Sequence, residues 1–259
     1  MNLNYLDPNP VGAPAVLLLH GLGATGESWT LQMPRLIEAG LRPIAPDIPG
    51  FGKSPYDGRG WSIHRMAGRM AQLLEDLCTG PAVVVGLSMG GTIAQQVCLD
   101  YPGLVQKLVL VSTFDVLRPE SFSAWFYFLR RFFVVMTVGL PAQAEFVAHR
   151  IFPAREDETL RQLLIESILQ GDPRAYRAAM RSLGLFNSSR RLKEINIPSL
   201  VITGSRDTTV SPSRQRHVAE AIPGAKQVLI EGAGHAVSVD QPESFNDALM
   251  HFLTVNDTK

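Results

Sequence analysis

The 259-residue sequence has few cysteines and no excess of either charge. Its two cysteines, Cys78 and Cys98, are too few for a disulfide framework and lack a zinc-binding spacing. Lysine and arginine together number 24, as do aspartate and glutamate, so the basic excess typical of a nucleic-acid-binding protein is missing. With 46% apolar and 19% charged residues, the composition is that of a globular protein and excludes a disordered chain.

The sequence also lacks a long apolar run that is free of charge. Its first residues do not combine a basic stretch with an apolar one, which argues against a secretory signal, so we expect a cytoplasmic protein. The most apolar stretch, 122–140, contains Arg130 and Arg131 near its middle, where a membrane would make charges most costly. We predict no membrane span and interpret this stretch as an amphipathic helix. Its aromatic face should pack on the rest of the protein.

Short apolar runs alternate with helical patterns along most of the chain. The runs that predict strands are 15–19, 42–45, 82–85, 107–111, 200–203 and 227–230. Helices are predicted over 27–40, 63–77 and 89–100, and from the prolines at 212 and 242 onwards. Strands that are apolar throughout are buried on both faces. The pattern therefore predicts an α/β fold, with a mostly parallel central sheet and helices on both of its faces.

The alternation is interrupted once, between residues 115 and 190. This stretch has helical periodicity and no convincing strand. A helical insertion of this length in an α/β domain is usually a lid or a binding subdomain. We therefore predict a core domain of residues 1–114 and 191–259, with an inserted helical cap of residues 115–190.

The stretch Gly86-Leu-Ser-Met-Gly-Gly91 follows a predicted strand and begins a predicted helix. This is the G-x-S-x-G pattern of a nucleophile elbow in its required context. The glycines are needed because the residues two before and two after the serine come close together in such a tight turn. Ser88 is thus the candidate nucleophile.

A nucleophilic serine needs a base, and that base needs an orienting carboxylate. His235 lies in a glycine-rich turn after the last predicted strand, and Asp207 follows the strand before it. The order Ser88, Asp207, His235 is typical of hydrolases with this elbow. Asp115, which follows another strand, is the alternative acid.

Acyl transfer also needs N–H groups that bind an oxyanion. The backbone N–H of Met89, directly after the nucleophile, is one candidate. The other is Leu22, in the loop His20-Gly-Leu-Gly23, where glycines allow the amides to turn inward. We expect His20 to hold this loop by side-chain hydrogen bonds.

Together these motifs resemble the α/β-hydrolase superfamily. The pieces that carry the resemblance are 20–23, the loop 47–52, the elbow 86–91, Asp207 and 234–235. Among its members, the chain is similar to small bacterial carboxylesterases and enol-lactonases. The resemblance implies the α/β-hydrolase fold with a cap at 115–190. The chain departs from the family in the short stretch before its first predicted strand, so we expect the family's antiparallel edge hairpin to be abbreviated. Haloalkane dehalogenases and epoxide hydrolases of this fold use an aspartate at the elbow, so Ser88 argues against them.

The favoured function is hydrolysis of a carboxylic ester through a serine acyl-enzyme, with no cofactor and no metal. The expected partner is a small apolar ester or lactone, not a nucleic acid. The alternatives are lactone opening, cleavage of an activated C–C bond, cofactor-free perhydrolysis and a non-catalytic receptor on the same fold. The candidates for substrate binding are aromatic side chains: Trp29, Phe51, Phe126, Phe128, Phe132 and Phe133.

Overall fold

Seven strands form one sheet in the part of the chain that the structure describes. The structure is a computed structural model, and it describes residues 3–118, 122, 125, 126, 129, 130, 133, 137 and 139–254. The strands, in chain order, are β1 (Tyr5–Leu6), β2 (Ala15–Leu19), β3 (Arg42–Pro46), β4 (Ala82–Leu87), β5 (Val105–Val111), β6 (Ser199–Gly204) and β7 (Lys226–Ile230). They lie in the order β1-β3-β2-β4-β5-β6-β7. The six predicted strands are all present.

The sheet is parallel except at one edge. All neighbouring strands run parallel apart from β1, which pairs with β3 in the antiparallel direction over two residues. The short β1 matches the expected abbreviated edge. The adjacent strands β2 and β4 contain no polar side chain because both of their faces are covered, and every residue of β2 is buried. The predicted mostly parallel sheet is therefore confirmed.

Helices cover both faces of the sheet. The helices labelled here are α1 (Met33–Glu38), α2 (Ile63–Asp76), α3 (Met89–Asp100), α4 (Leu140–Ile151), α5 (Glu158–Gln170), α6 (Pro173–Leu185), α7 (Pro212–Ala221), α8 (Val237–Asp240) and α9 (Pro242–Thr254). One core packs α1 and α9 on the sheet, and a second packs α2, α3 and α7 on the other face. Within the described residues, no helix is both long enough and apolar enough to cross a membrane.

The helix predicted over 27–40 is wrong in its extent. A short 3-10 turn, Gly26–Trp29, is followed by α1 only from Met33 onwards. Pro34 explains the break, because proline has no N–H to donate and its ring clashes with the carbonyl four residues earlier. The segment 27–40 is therefore two short pieces.

Residues 115–190 leave the sheet after β5 and return before β6. Their described part between 117 and 186 forms helices and turns and contains no strand. The two ends of this segment meet, because Val116 and Asn187 form an isolated antiparallel bridge and Ser188 N donates to the carbonyl of Asp115 at 2.9 Å. The helices α4, α5 and α6 belong to it.

This helical segment packs on the loops that follow β2 and β3. Ser167 Oγ donates to the carbonyl of Gly23 at 2.9 Å, and Asp172 N donates to the carbonyl of Gly50 at 2.8 Å. Tyr176, fully buried, lies over the first of these loops: a Cβ on Gly23 would come 3.2 Å from its ring. The segment therefore covers the edge of the sheet where strands β2 and β3 end.

Candidate active site

Ser88 occupies a sharp turn between β4 and α3. Its φ of 53° and ψ of −110° lie outside the regions that residues with a side chain usually adopt. A Cβ on Gly86 would lie 2.3 Å from the carbonyl oxygen of Gly90, so a side chain at this position would collide with the start of the helix. The turn is therefore a nucleophile elbow in its geometry as well as its sequence.

Neighbouring strands hold the backbone of Ser88 in this conformation. Its N–H donates to the carbonyl of Val111 at 2.9 Å, and its carbonyl accepts from Thr113 Oγ1 at 2.7 Å. The side chain is only partly buried and does not cap α3. The strained turn thus presents a hydroxyl group that the helix does not use.

The structure brings Asp207 and His235 together. Asp207 follows β6, His235 follows β7, and His235 Nδ1 lies 2.8 Å from Asp207 Oδ2. The other carboxylate oxygen, Oδ1, accepts from the backbone N–H groups of Thr209 at 2.8 Å and Val210 at 2.9 Å. An ionised carboxylate only accepts, so the contact places a proton on His235 Nδ1, and in the neutral imidazole Nε2 is then the atom with the free lone pair.

The alternative acid, Asp115, has different partners. Its side chain is fully buried, and Ser189 Oγ donates to its Oδ2 at 2.5 Å. Arg214 Nη1 and His217 Nε2 each lie 3.8 Å from the carboxylate. The carboxylate that contacts His235 is therefore that of Asp207.

The loop that follows β2 lies beside the elbow. A Cβ on Gly21 would come 2.9 Å from Leu87 Cδ2 and 3.8 Å from the Cβ of Ser88. Leu22 follows directly in this loop. Met89 is the first residue of α3, so its N–H has no carbonyl to bind within the helix. Both candidate donors of an oxyanion hole therefore belong to backbone that adjoins Ser88.

His20 ties this loop to the loop after β3. Its Nδ1 lies 2.8 Å from the carbonyl of Gly21, and its Nε2 accepts from the N–H of Ile48 at 2.9 Å. This pairing fixes a neutral imidazole with the proton on Nδ1. Burial lowers the pKa of His20 to about 4, so it carries no charge at neutral pH.

The candidate substrate-binding aromatics are not found together. Phe51 is buried at the junction with the helical segment, 6.4 Å between ring centroids from Tyr176 and 5.8 Å from His20. Trp29 lies in the other core, against Phe245 in α9, and does not join that junction.

The aromatic side chains of the stretch 122–140 are exposed to solvent at its described positions. Phe126 is 58% exposed and Phe133 is 62% exposed, whereas Phe128 and Phe132 lie outside the described residues. The expectation that the aromatic face packs on the sheet domain is therefore wrong for Phe126 and Phe133. Within this stretch Arg130 lies over the ring of Phe146 in α4, 5.0 Å from its centroid.

Two polar residues near the Asp207–His235 pair have no sequence motif that marks them. Gln215, in α7, donates to Asp207 Oδ2 at 2.9 Å. Asp240, in α8, accepts from the N–H of Gly234 at 2.8 Å, and burial raises the pKa of its carboxyl group. The sequence offers only a weak signal for Gln215 and Asp240, namely their distance along the chain from Asp207 and His235. That signal is weak because the point at which the following helix begins cannot be read accurately from the sequence. Among the described residues, no cluster of histidine, cysteine, aspartate or glutamate could hold a metal ion.

Comparison with known proteins agrees with the fold. The model of the Alpha/beta hydrolase family matches residues 16–248, nearly the whole described chain. The chain therefore belongs to the alpha/beta hydrolase family.

Its relatives within the family carry different activity names. It is 31% identical over 260 residues to a protein of Variovorax paradoxus named "Putative carbamate hydrolase RutD", with 98% of this chain and 96% of that one covered. A thermophilic esterase from Thermogutta terrifontis is 28% identical, with a TM-score of 0.85 and coverage of 97% and 92%. The enol-lactonase from Burkholderia xenovorans LB400, 24% identical with a TM-score of 0.88 and coverage of 98% and 96%, shares the fold. The resemblance to bacterial esterases and lactonases is thus confirmed at the level of the family.

Proposed function

We propose that the protein hydrolyses carboxylic esters through a covalent acyl-enzyme on Ser88. The observation that supports this proposal is the 2.8 Å contact between Asp207 and His235 at the edge of the sheet where the Ser88 elbow ends β4. A buried carboxylate that fixes the tautomer of an imidazole, at the same edge of the sheet as a strained and partly exposed serine, fits acyl transfer.

In this proposal each residue has one role. Ser88 Oγ attacks the ester carbonyl carbon while its proton passes to Nε2 of His235. The N–H groups of Leu22 and Met89 bind the oxyanion that forms. The bond from carbon to the alcohol oxygen then breaks, and His235 returns the proton to that oxygen. Water repeats the sequence on the acyl-enzyme, releases the acid and restores Ser88.

Residues 115–190 act as a cap over this site in the same proposal. The contacts of Ser167 and Asp172 with the loops after β2 and β3 support the assignment, since the first loop carries Leu22. Phe51 and Tyr176, which are both buried at this junction, are the aromatics best placed to bound an apolar acyl group.

Carbamates are a second candidate substrate class. The support is the 31% identity to the relative named as a carbamate hydrolase, which extends over 98% of this chain. The same triad would cleave a carbamate through a carbamoyl-enzyme. A matched pair of p-nitrophenyl substrates, an acyl ester and an N-alkyl carbamate of equal length, distinguishes the two substrate classes. A higher kcat/KM for the ester supports ester hydrolysis, and a higher kcat/KM for the carbamate supports carbamate hydrolysis.

The test of the proposed nucleophile compares two serines. Ser88→Ala should lower ester turnover by several powers of ten and abolish labelling by a fluorophosphonate. Ser112→Ala is the control, because Ser112 also directly follows a central strand with a positive φ, 47°, and its buried hydroxyl has no hydrogen-bond partner in the described part of the chain. We expect this variant to stay within a few-fold of the wild type. Equal loss in both variants, or labelling of Ser88→Ala at the wild-type rate, contradicts the proposal.

A further inference from the structure

The helix α7 begins a few residues after Asp207, and the buried side-chain amide of Gln215 in this helix points back towards Asp207. Ser211 caps the helix by accepting from the N–H of Arg214 at 3.2 Å, and Pro212 occupies its first turn. Gln215 N donates to the carbonyl of Ser211 at 3.2 Å. This start fixes the rotation of the helix, and with it the direction in which the fully buried side chain of Gln215 projects.

Both N–H groups of the Gln215 amide are used. Its Nε2 donates to Asp207 Oδ2 at 2.9 Å and to the carbonyl of Val210 at 2.9 Å. The orientation of the amide is therefore decided by chemistry, because the opposite one would place Gln215 Oε1 against a carboxylate and a carbonyl oxygen. In the present orientation Oε1 is buried and has no hydrogen-bond partner among the described residues. An unpaired buried oxygen costs stability and offsets part of what the two donated hydrogen bonds contribute.

We infer that Gln215 is a positioning residue for the base of the proposed triad. It donates to the same carboxylate oxygen, Oδ2, that accepts from Nδ1 of His235. The amide thus shares the charge of that oxygen and, with the N–H groups of Thr209 and Val210 on Oδ1, prevents rotation of the carboxylate. Gln215 thereby sets both the direction of the imidazole and the strength with which Asp207 stabilises its protonated form. This inference rests on the proposed function.

Other charged groups near the pair are few in the described part of the chain. Asp240 lies close enough to interact electrostatically with both His235 and Asp207, and Asp157 interacts with Asp240. Arg150, from α4, donates to the carbonyl of Thr208 at 2.5 Å. None of these groups is altered by a change at Gln215, so a shift in the pH dependence of that variant reports on the donor to Asp207.

The first variant removes the donor and keeps the volume. Gln215→Met should lower kcat about tenfold with KM changed less than about twofold, because the imidazole is less often in its productive direction. The acidic limb of the pH–kcat profile should move upwards by roughly half a pH unit, since Asp207 then stabilises protonated His235 more strongly. The downfield ¹H NMR signal of the His235 Nδ1 proton should move further downfield.

The second variant exchanges the donor for a titratable one. In Gln215→Glu a protonated carboxyl donates to Asp207 Oδ2, whereas an ionised one repels it. Its activity relative to the wild type should therefore fall steadily as pH rises from about 5 to about 9. This variant keeps the length and shape of the side chain, and it provides the test if Gln215→Met does not fold.

The control is another fully buried glutamine, on helix α3, which packs into the same core as α7. Gln95 Nε2 donates to the carbonyl of Phe114 at 3.0 Å and its Oε1 accepts from Ser188 Oγ at 2.7 Å, with no contact to Asp207 or His235. Gln95→Met should lower the melting temperature and leave the shape of the pH profile unchanged.

The outcomes separate this inference from the function on which it rests. If Gln215→Met and Gln215→Glu behave like Gln95→Met, with lower stability and an unshifted pH profile, the positioning role is wrong while ester hydrolysis stands. If the wild type does not turn over esters, or turns them over equally without Ser88, the proposed function is wrong. In that case the Nδ1 proton signal of His235 still shows whether Gln215 controls the Asp207–His235 hydrogen bond, and an unmoved signal overturns the inference.

Discussion

Gly90 lies directly against the carbonyl group of Leu19: a Cβ on residue 90 would come 2.1 Å from the Leu19 oxygen. Leu19 is the last residue of β2, and Gly90 belongs to the first turn of α3. The contact therefore fixes the helix that follows Ser88 against the strand that leads into the loop of residues 20–23. The contact thus fixes the distance between the loop 20–23 and the start of α3, the two backbone segments that would bind an oxyanion.

Gly90→Ala should consequently destabilise the protein by about 3 kcal/mol, because backbone on both sides must move to admit the methyl group. Gly184→Ala is the control, since a Cβ at this exposed position of α6 meets nothing within 4 Å. It should raise the free energy of unfolding by about 0.5–1 kcal/mol through its helix propensity. Urea unfolding of both variants measures the difference, and similar stabilities would contradict the tight contact.

Asp207→Asn should reduce ester turnover by roughly 10⁴-fold, because the asparagine amide would face the Nδ1 proton of His235 and favour the other tautomer. Asp115→Asn should stay within about tenfold of the wild type, since the partners of Asp115 are Ser189, Arg214 and His217. The measurement is kcat/KM for one p-nitrophenyl ester. A larger loss at Asp115 would transfer the role of the acid to that residue.

Folding stability should fall as the pH drops from about 6.5 to about 4, because of His20. Burial holds its folded-state pKa at about 4, against 6.5 for the exposed side chain. Between these values the unfolded chain binds a proton that the folded protein does not, so acid favours unfolding by on the order of 3 kcal/mol in total. The contribution of His20 to the free energy of unfolding is complete above pH 6.5, the pKa in the unfolded chain, and is lost as the pH falls to about 4, the pKa in the folded protein.

The check is the free energy of urea unfolding at several pH values in three proteins. His20→Gln should be less stable than the wild type at neutral pH but should lose less stability on acidification. His251→Gln, at an exposed position of α9, should follow the wild-type curve. Parallel curves for His20→Gln and the wild type would show that another group causes the acid sensitivity.

Phe51→Ala should cost about 3–5 kcal/mol, because the buried ring packs against His20, Trp61 and Tyr176. Phe126→Ala, at an exposed position, should change stability by less than about 0.5 kcal/mol. The milder Phe51→Leu should also move the preferred acyl length, at roughly fourfold in kcat/KM per methylene, if this ring bounds the acyl group. Melting temperatures and a series of p-nitrophenyl esters test both statements, and an unshifted optimum in Phe51→Leu removes Phe51 from the pocket.

Local sequence patterns predicted the strands and the elbow because each depends on neighbours in the chain. A run such as that of 82–85 is apolar since both of its faces are covered, and the glycines around Ser88 follow from a clash within one turn. The Asp207–His235 contact also follows from local information, because parallel strands end at one edge of the sheet. The catalytic use of these residues stays a prediction.

Contacts between distant elements could not be read in the same way. Nothing near Gln215 in the sequence distinguishes it from an exposed glutamine on a helix. The packing of Trp29 against Phe245 and of Arg130 over Phe146 likewise depends on how separate helices approach each other. The aromatic stretch near Phe126 was apolar enough to suggest burial, but composition does not decide which side of a helix faces the core.

The bridge between Val116 and Asn187 joins the two ends of the helical segment 115–190 at the point where it leaves the sheet. Because its entry and exit points are joined to each other, a change in length or sequence within it needs no adjustment in the strands on either side. If the segment is the cap of the proposed function, substrate preference can diversify in it without moving the strand ends that carry Ser88, Asp207 and His235. The same junction offers protein engineers a natural splice site, at which the segment of one relative can be exchanged for that of another.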